Sequence, residues 1–103
     1  MKPVVLKLAR DDLKEICDRL AEYGKNPSRK FRESFTTFCT NVASMPFMYP
    51  QYDLNSNYRK AIIEYDYIVF YKVENVNSID RTRIYRALHG KRDITALLEA
   101  TDE

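Results

Sequence analysis

The segment with the most evident chemistry is RALHGKRD, Arg86–Asp93, near the end of the chain. It combines three cationic side chains with His89, the single histidine of the sequence. Such a cluster suits the binding of a phosphate, the stabilisation of charge that develops on phosphorus, or pairing with an acidic peptide. The plainer interpretation is a solvated strand end whose Asp93 caps the next helix, and composition alone favours it.

Other kinds of site find little support in the sequence. One histidine and two separated cysteines, Cys17 and Cys39, do not make a conventional metal site. The glycines are single, so there is no Gly-rich phosphate loop, and no nucleophile stands near His89 for a catalytic triad. Both cysteines are in phase with the apolar positions of predicted helices, which indicates buried, unreactive thiols. We therefore expect neither a metal nor a cofactor.

The distribution of charge is more informative than its total. The formal net charge is only +2, and the acidic residues lie mostly towards the two ends of the chain. The segment Tyr58–Asp93 concentrates the cations Arg59, Lys60, Lys72, Arg81, Arg83, Arg86, Lys91 and Arg92. This segregation predicts a locally positive surface with an anionic or acidic partner.

Length and composition are those of a small globular protein. The 103 residues predict a single domain, 1–103, and a hydrophobic content of 45% is enough for a core. No apolar run approaches the roughly 20 residues of a membrane span. The N-terminus does not resemble a signal peptide, so we expect a cytoplasmic protein that does not associate with membranes.

Three strands with short connections would carry most of these cations. Tyr58–Glu64 and Tyr67–Val73 are rich in β-branched and aromatic residues and are separated by the hairpin spacing Tyr65–Asp66. A polar loop, Glu74–Ser78, precedes the third strand, Ile79–His89. Strands joined so closely must be antiparallel.

The remaining elements complete an α+β domain. In chain order they are an edge strand Val4–Leu8, a helix from a capping box of Asp12 and Glu15 to Gly24, a helix from the N-cap Asn26 to about Ser44, an irregular crossover Pro46–Asn57, the three strands, and a last helix Ile94–Ala100 capped by Asp93. The order β-α-α-β-β-β-α predicts a helical hairpin packed on one face of a mostly antiparallel sheet.

Strand alternation assigns side chains to the two faces of that sheet. Tyr67, Val69, Tyr71 and Val73 form an apolar set that should meet the helices. In the third strand, Arg86 falls in phase with Ile84 and Leu88. Two interpretations remain open: a guanidinium that snorkels at the sheet margin, or one held in place for a partner.

The order of these motifs resembles a known family. RALHGKRD, preceded by YRKAII and YIVFYKV, is similar to the RelE/ParE superfamily of bacterial type II toxins, and the similarity extends over about residues 3–98 through the ARDDLKEI helix and the MPFMYPQYD crossover. No single motif is specific, but their order and spacing together are. The resemblance implies a toxin with a RelE/ParE-like fold, encoded beside an antitoxin that covers and neutralises it. It also implies a dimer or a heterotetramer with that antitoxin.

The superfamily has two mechanistic branches, and this sequence resembles the ParE-like branch more closely. RelE-like members cut mRNA on the ribosome and carry a basic pair in the first hairpin strand, where this chain has Arg59 but also Ala61. Ile68 stands where those members have an arginine, and Leu97 and Leu98 where they often have a tyrosine or histidine. ParE-like members inhibit DNA gyrase, and the LHGKRD end is closer to theirs.

The resemblance therefore favours a growth-inhibiting toxin of the plasmid-stabilisation type that acts on DNA gyrase and is bound by a cognate antitoxin. The residues expected to bind the antitoxin or the target are Arg59, Lys60, Arg83, Arg86, His89, Lys91 and Arg92. One alternative is a RelE-like endoribonuclease acting on ribosome-bound mRNA, with Arg59, His89 and Arg92 in its site. The other is a non-toxic member that binds the antitoxin and represses a promoter with it.

Overall fold

The chain folds into one five-stranded sheet with helices on both of its faces. The structure is a computed structural model that describes residues 2–101, and the acidic Asp102 and Glu103 at the C-terminus lie outside this range. Its elements are β1 (Val4–Val5), α1 (Lys7–Ala21), α2 (Lys25–Ser44), β2 (Gln51–Tyr52), β3 (Asn55–Ile63), a 3-10 turn (Glu64–Asp66), β4 (Tyr67–Val76), β5 (Ile79–His89) and α3 (Ile94–Glu99).

The strand order is β1-β5-β4-β3-β2, and β1 pairs parallel with β5 while the other pairs are antiparallel. The longest ladder joins β4 to β5 and runs from Tyr67 opposite His89 to Val76 opposite Ile79. Asn77 and Ser78 close this hairpin with φ values of 53° and 67°, the left-handed conformation that suits a two-residue turn. The predicted α+β class and element order are confirmed.

The helical hairpin α1–α2 packs on one face of the sheet, as expected. Phe38 and Val42 of α2 share a core with Val69 and Tyr71 of β4. Near the other end of the hairpin, the ring of Phe31 meets that of Tyr67 edge-on at 5.3 Å. The apolar alternation of β4 therefore identified the face that the helices cover.

The opposite face is not left bare along its whole length. Leu98 of α3 is buried there in a second core with Phe70 of β4 and Leu88 of β5. Asp93 accepts a hydrogen bond from the backbone N–H of Ala96, so the predicted cap of this helix is confirmed. The hairpin is thus not the whole cover of the sheet, because the last helix folds back over part of the second face.

Both long helices begin earlier than the sequence suggested. α1 starts at Lys7, five residues before Asp12, and its first residues are not capped by a side chain. Asp12 therefore lies inside the helix, and the predicted capping box with Glu15 is wrong. α2 starts at Lys25, directly after Gly24, whose φ of 111° suits glycine.

A β-bulge in β5 changes the assignment of side chains to faces. The register of the β4–β5 ladder shifts between Phe70 and Tyr71, which leaves Tyr85 as an extra residue in β5. Ile84 consequently packs in the core beneath α1 and α2, whereas Leu88 packs beneath α3. The predicted grouping of Ile84 with Arg86 and Leu88 on one face is therefore wrong.

Candidate functional site

The structure distributes the predicted binding residues among three places. Arg59, Lys60 and Arg83 lie on the central strands, on the side of the sheet nearer to the turn between β4 and β5. His89, Lys91 and Arg92 lie at the opposite end, in the connection from β5 to α3, which we call the β5–α3 corner. Arg86 lies within β5 and points to neither group.

Arg86 is engaged inside the chain. Its Nε and Nη2 donate to the two carboxylate oxygens of Asp12 at 2.7 and 2.9 Å, and its Nη1 donates to Thr101 Oγ1 at 3.2 Å. The hydrogen bonds that Arg86 donates to the Asp12 carboxylate raise the pKa of Arg86 above its usual value. The guanidinium therefore neither snorkels into solvent at the sheet margin nor is held ready for a partner, the two interpretations of the sequence, because its hydrogen bonds are made within the chain.

The geometry of the sheet edge explains this arrangement. β1 pairs with Arg83 and Ile84 of β5, and beyond them the edge of β5 has no neighbouring strand among residues 2–101. The Asp12 carboxylate takes the place of that strand and accepts the Ala87 backbone N–H at 3.0 Å. Asp12 thus satisfies an edge amide and a buried guanidinium together.

The β5–α3 corner is built on a well-positioned imidazole. The ring of His89 lies edge-on to that of Tyr67 at 5.0 Å, and its Nδ1 accepts the backbone N–H of Lys91 at 3.1 Å. The neutral ring therefore carries its proton on Nε2. The side chains of Lys91 and Arg92 are exposed beside it.

A small cleft joins this corner to helix α1. Arg92 and His89 line it from the corner, and Arg19 and Glu15 line it from the helix. Arg19 donates to Glu15 at 2.8 Å. Arg19 is not among the binding residues predicted from the sequence, because a cation in the last turn of a helix is commonly explained by its interaction with the helix dipole.

Arg59 of the second group lines a groove between β3 and β4. The ladder between these strands stops at Arg59 opposite Tyr71, although β3 begins four residues earlier and β4 ends five residues later. The strands therefore diverge, and the space between them is the β3–β4 groove, lined by Phe47, Gln51, Ser56, Asn57, Arg59, Val73, Glu74 and Lys72. Arg59 donates to the carbonyl oxygen of Tyr49 at 2.7 Å, and its guanidinium carbon lies 4.9 Å from the centre of the Phe47 ring.

Aromatic rings hold the two lysines of this region. Lys72 Nζ lies 4.7 Å from the ring centres of both Tyr58 and Tyr85, and Lys60 Nζ lies 5.5 Å from that of Tyr52. Such contacts are attractive without neutralising the ammonium charge. Among residues 2–101, neither lysine forms an ion pair with a carboxylate.

Arg83 completes the group and is held by an acidic neighbour. Its Nη1 lies 3.2 Å from Glu74 Oε1. Lys72 stands directly opposite Arg83 in the β4–β5 ladder, and Glu74 lies two residues further along β4. Sequence reasoning counted Lys72 among the cations of the segment but did not place it in the site.

The three residues of the nuclease alternative do not converge. Arg59 pairs with Tyr71 and His89 pairs with Tyr67, so they lie four residues apart along β4, or about 13 Å at the rise of a strand. They also belong to strands on opposite sides of β4, which adds a separation of roughly 10 Å. Only His89 and Arg92 share a location.

The described part of the chain contains neither a candidate metal site nor a candidate membrane-spanning helix. Residues 2–101 contain no group of three or more histidine, cysteine or acidic side chains placed to hold a metal ion. Within the same range, no helix has both the length and the apolar character needed to cross a membrane.

The fold matches that of a solved bacterial toxin. A solved structure with the same fold is the YoeB/ParE toxin from Agrobacterium tumefaciens, which is 17% identical and superposes with a TM-score of 0.62 over 86% of this chain and 98% of that one. No curated protein sequence matches the chain significantly. Residues 4–94 match the family model described as the ParE toxin of the type II toxin-antitoxin system parDE. The chain belongs to this ParE toxin family, and membership implies a cognate antitoxin as its partner.

Proposed function

We propose that this chain inhibits bacterial growth by acting on DNA gyrase and that its antitoxin neutralises it by covering the cationic ends of the sheet. The observation that supports gyrase over mRNA is the separation of Arg59 from His89. Gyrase as the target also places the proposed site of action in the cytoplasm.

The chemistry of RNA cleavage explains why this separation matters. Attack by a 2′-hydroxyl needs a base, an acid and cations around the same phosphate, with each group within hydrogen-bonding reach of the atom it serves. Arg59 stands about 13 Å from His89 along the strands alone. An inhibitor that binds a protein target needs no such convergence, because each cation can meet a different group of a large partner.

The β5–α3 corner is the surface that we assign to the target. Lys91 and Arg92 are exposed, and the turn fixes their backbone through the bonds from Arg92 N–H to the His89 carbonyl and from Lys91 N–H to His89 Nδ1. Exposed cations on a fixed backbone suit an acidic partner surface, where they mainly set specificity and the rate of association.

Supercoiling of relaxed plasmid by purified gyrase tests the proposal. We expect the purified chain to inhibit the reaction in a dose-dependent manner and the product of the adjacent antitoxin gene to restore it. Unchanged supercoiling at saturating protein would reject gyrase as the target. Cleavage of mRNA on purified ribosomes, abolished by His89→Ala or Arg92→Ala, would establish the nuclease alternative, and harmless overexpression without the antitoxin would favour the co-repressor.

A further inference from the structure

We propose that the β3–β4 groove and the lysines beside it bind the phosphate backbone of duplex DNA. The biological setting of this inference rests on the proposed function, because gyrase acts while it holds DNA. The site itself is separate from the β5–α3 corner, which lies at the other end of the sheet.

The groove offers donors of the kind that phosphate oxygens accept. Arg59, on the α1–α2 side of the sheet, and Lys72, on the α3 side, supply positive charge from the two sides of the groove. Gln51, Ser56 and Asn57 supply amide and hydroxyl groups. Within residues 2–101, one N–H of the Arg59 guanidinium is used, by the Tyr49 carbonyl, so the others remain for a ligand. That internal bond and the ring of Phe47 fix the plane of the guanidinium, which lowers the entropy lost when it binds a phosphate.

The lysines beside the groove lie close to other cations. Like charges directly opposite each other on neighbouring strands are destabilising, and Lys72 stands opposite Arg83. Lys60 lies one strand across and two residues along from Lys72, which is a diagonal neighbour at roughly 7–8 Å. Glu74 is the carboxylate of the groove, and Arg83 holds it at 3.2 Å, so it does not cancel the charge of Lys72. A polyanion would be attracted to Lys60 and Lys72, for which residues 2–101 provide no ion pair.

The aromatic residues favour a duplex over a single strand. Proteins that bind single strands stack the bases on exposed aromatic rings. Here Tyr52, Tyr58 and Tyr85 are buried, and lysine ammonium groups lie over them. Phe47 is exposed, but the guanidinium of Arg59 lies against its ring. What this face offers a nucleic acid is therefore positive charge for the backbone and not a platform for bases.

Fluorescence anisotropy of a labelled DNA duplex, titrated with the full chain over a series of salt concentrations, tests the inference. We expect binding that weakens with salt, because each phosphate contact contributes about 0.9 to the slope of log affinity against log salt. Lys72→Gln and Arg59→Gln should each weaken binding and lower the slope by about one contact. Lys72→Arg, which keeps the charge, should retain the slope.

Lys30→Gln is the matched control. It removes the same charge from an exposed position of α2, four residues before Ser34, whose hydroxyl accepts the Glu64 N–H at the far end of β3. Absence of duplex binding at low salt, or an equal loss with Lys30→Gln, would overturn the inference. So would tighter binding of a single-stranded RNA of the same sequence, equal binding of polyglutamate, or full competition by inorganic phosphate at the same phosphate concentration.

The two proposals can fail independently. Duplex binding that persists while supercoiling is unaffected would reject gyrase and retain the groove. Inhibition of gyrase by a chain that binds no duplex would retain gyrase and reject the groove.

Discussion

Asp12 and Arg86 are 74 residues apart in the sequence and form a two-pronged ion pair with N–O distances of 2.7 and 2.9 Å. Their side chains are only 13% and 12% exposed. The same carboxylate accepts the Ala87 N–H, and the same guanidinium donates to Thr101. This pair therefore joins α1 and β5 to Thr101, two residues beyond the end of α3, and it positions the strand that leads into the β5–α3 corner.

Removal of the carboxylate should destabilise the fold strongly. Asp12→Ala leaves a guanidinium buried without its counter-charge, and breaking one partner of such a pair costs about 3–5 kcal/mol of unfolding free energy. Urea unfolding followed by circular dichroism measures the effect. Asp11→Ala is the control, since Asp11 is exposed and pairs only with Lys7 on the helix surface, and it should change stability by less than about 1 kcal/mol. A loss for Asp12→Ala no larger than that of the control would show that the pair is not structural.

Part of this pair is visible in the sequence. Asp12 lies three residues after Ala9 and four before Ile16, both buried, so it stands on the inward stripe of its helix. Arg86 is likewise flanked by apolar strand residues. Opposite charges on two buried faces are expected to form an ion pair. Which residues pair depends on how β1 leaves the edge of β5 open, and no local sequence pattern shows this.

Local signals predicted local structure well. The spacing at Tyr65–Asp66 identified a hairpin, and the apolar alternation of Tyr67–Val73 identified the face that meets the helices. The bulge at Tyr85 could not be predicted from the sequence, because one extra residue in a strand does not change the composition of the segment. It inverted the alternation of half a strand, and with it the assignment of Ile84.

The same contrast holds for the candidate sites. His89, Lys91 and Arg92 are nearly consecutive, so the sequence alone brings them together. The β3–β4 groove combines residues from the crossover, β3 and β4, and exists because two strands diverge after Arg59. Lys72 could not be assigned to it without the register of the sheet.

Alkaline pH should destabilise the protein through two acids, the partly buried Cys39 and the buried Tyr71. Burial raises the pKa of Cys39 from 9.0 to about 11 and that of Tyr71 from 10.0 to about 12. A folded-state pKa above the unfolded value means that the stabilisation is complete below the unfolded pKa and is lost as pH rises through the folded one. We therefore expect the unfolding free energy to fall between pH 9 and 11 for the thiol and between pH 10 and 12 for the phenol.

Tyr71→Phe separates the phenol from the thiol. The Tyr71 hydroxyl donates to the Pro46 carbonyl at 3.0 Å, so its loss should cost about 1–2 kcal/mol at neutral pH. The variant should then lose less stability than the parent above pH 10, the unfolded pKa of the phenol. Urea unfolding at a series of pH values gives both quantities, and parallel pH profiles for the two proteins would contradict the assignment.

α3 should contribute to the core and not merely trail from it. Leu98 is 3% exposed and packs with Phe70 and Leu88, so Leu98→Ala should lower the unfolding free energy by about 2–4 kcal/mol. Leu54, which is 71% exposed, provides the same substitution without burial, and Leu54→Ala should be nearly neutral. Equal effects of the two substitutions would indicate that α3 does not cover the sheet in solution.

The β5–α3 corner should determine inhibition of gyrase without determining the fold. Arg92→Ala and Lys91→Ala remove exposed cations, so each should leave the unfolding free energy within about 0.5 kcal/mol of the parent. If each cation contributes about 1–2 kcal/mol to target binding, half-inhibition of supercoiling should need roughly tenfold more protein, since 1.4 kcal/mol corresponds to a factor of ten. Lys30→Ala, an exposed lysine on the outer helix, should inhibit as the parent does. Loss of inhibition in all three variants would mean that the overall charge, and not this corner, determines target recognition. Full inhibition by both Arg92→Ala and Lys91→Ala would mean that the target binds elsewhere on the molecule.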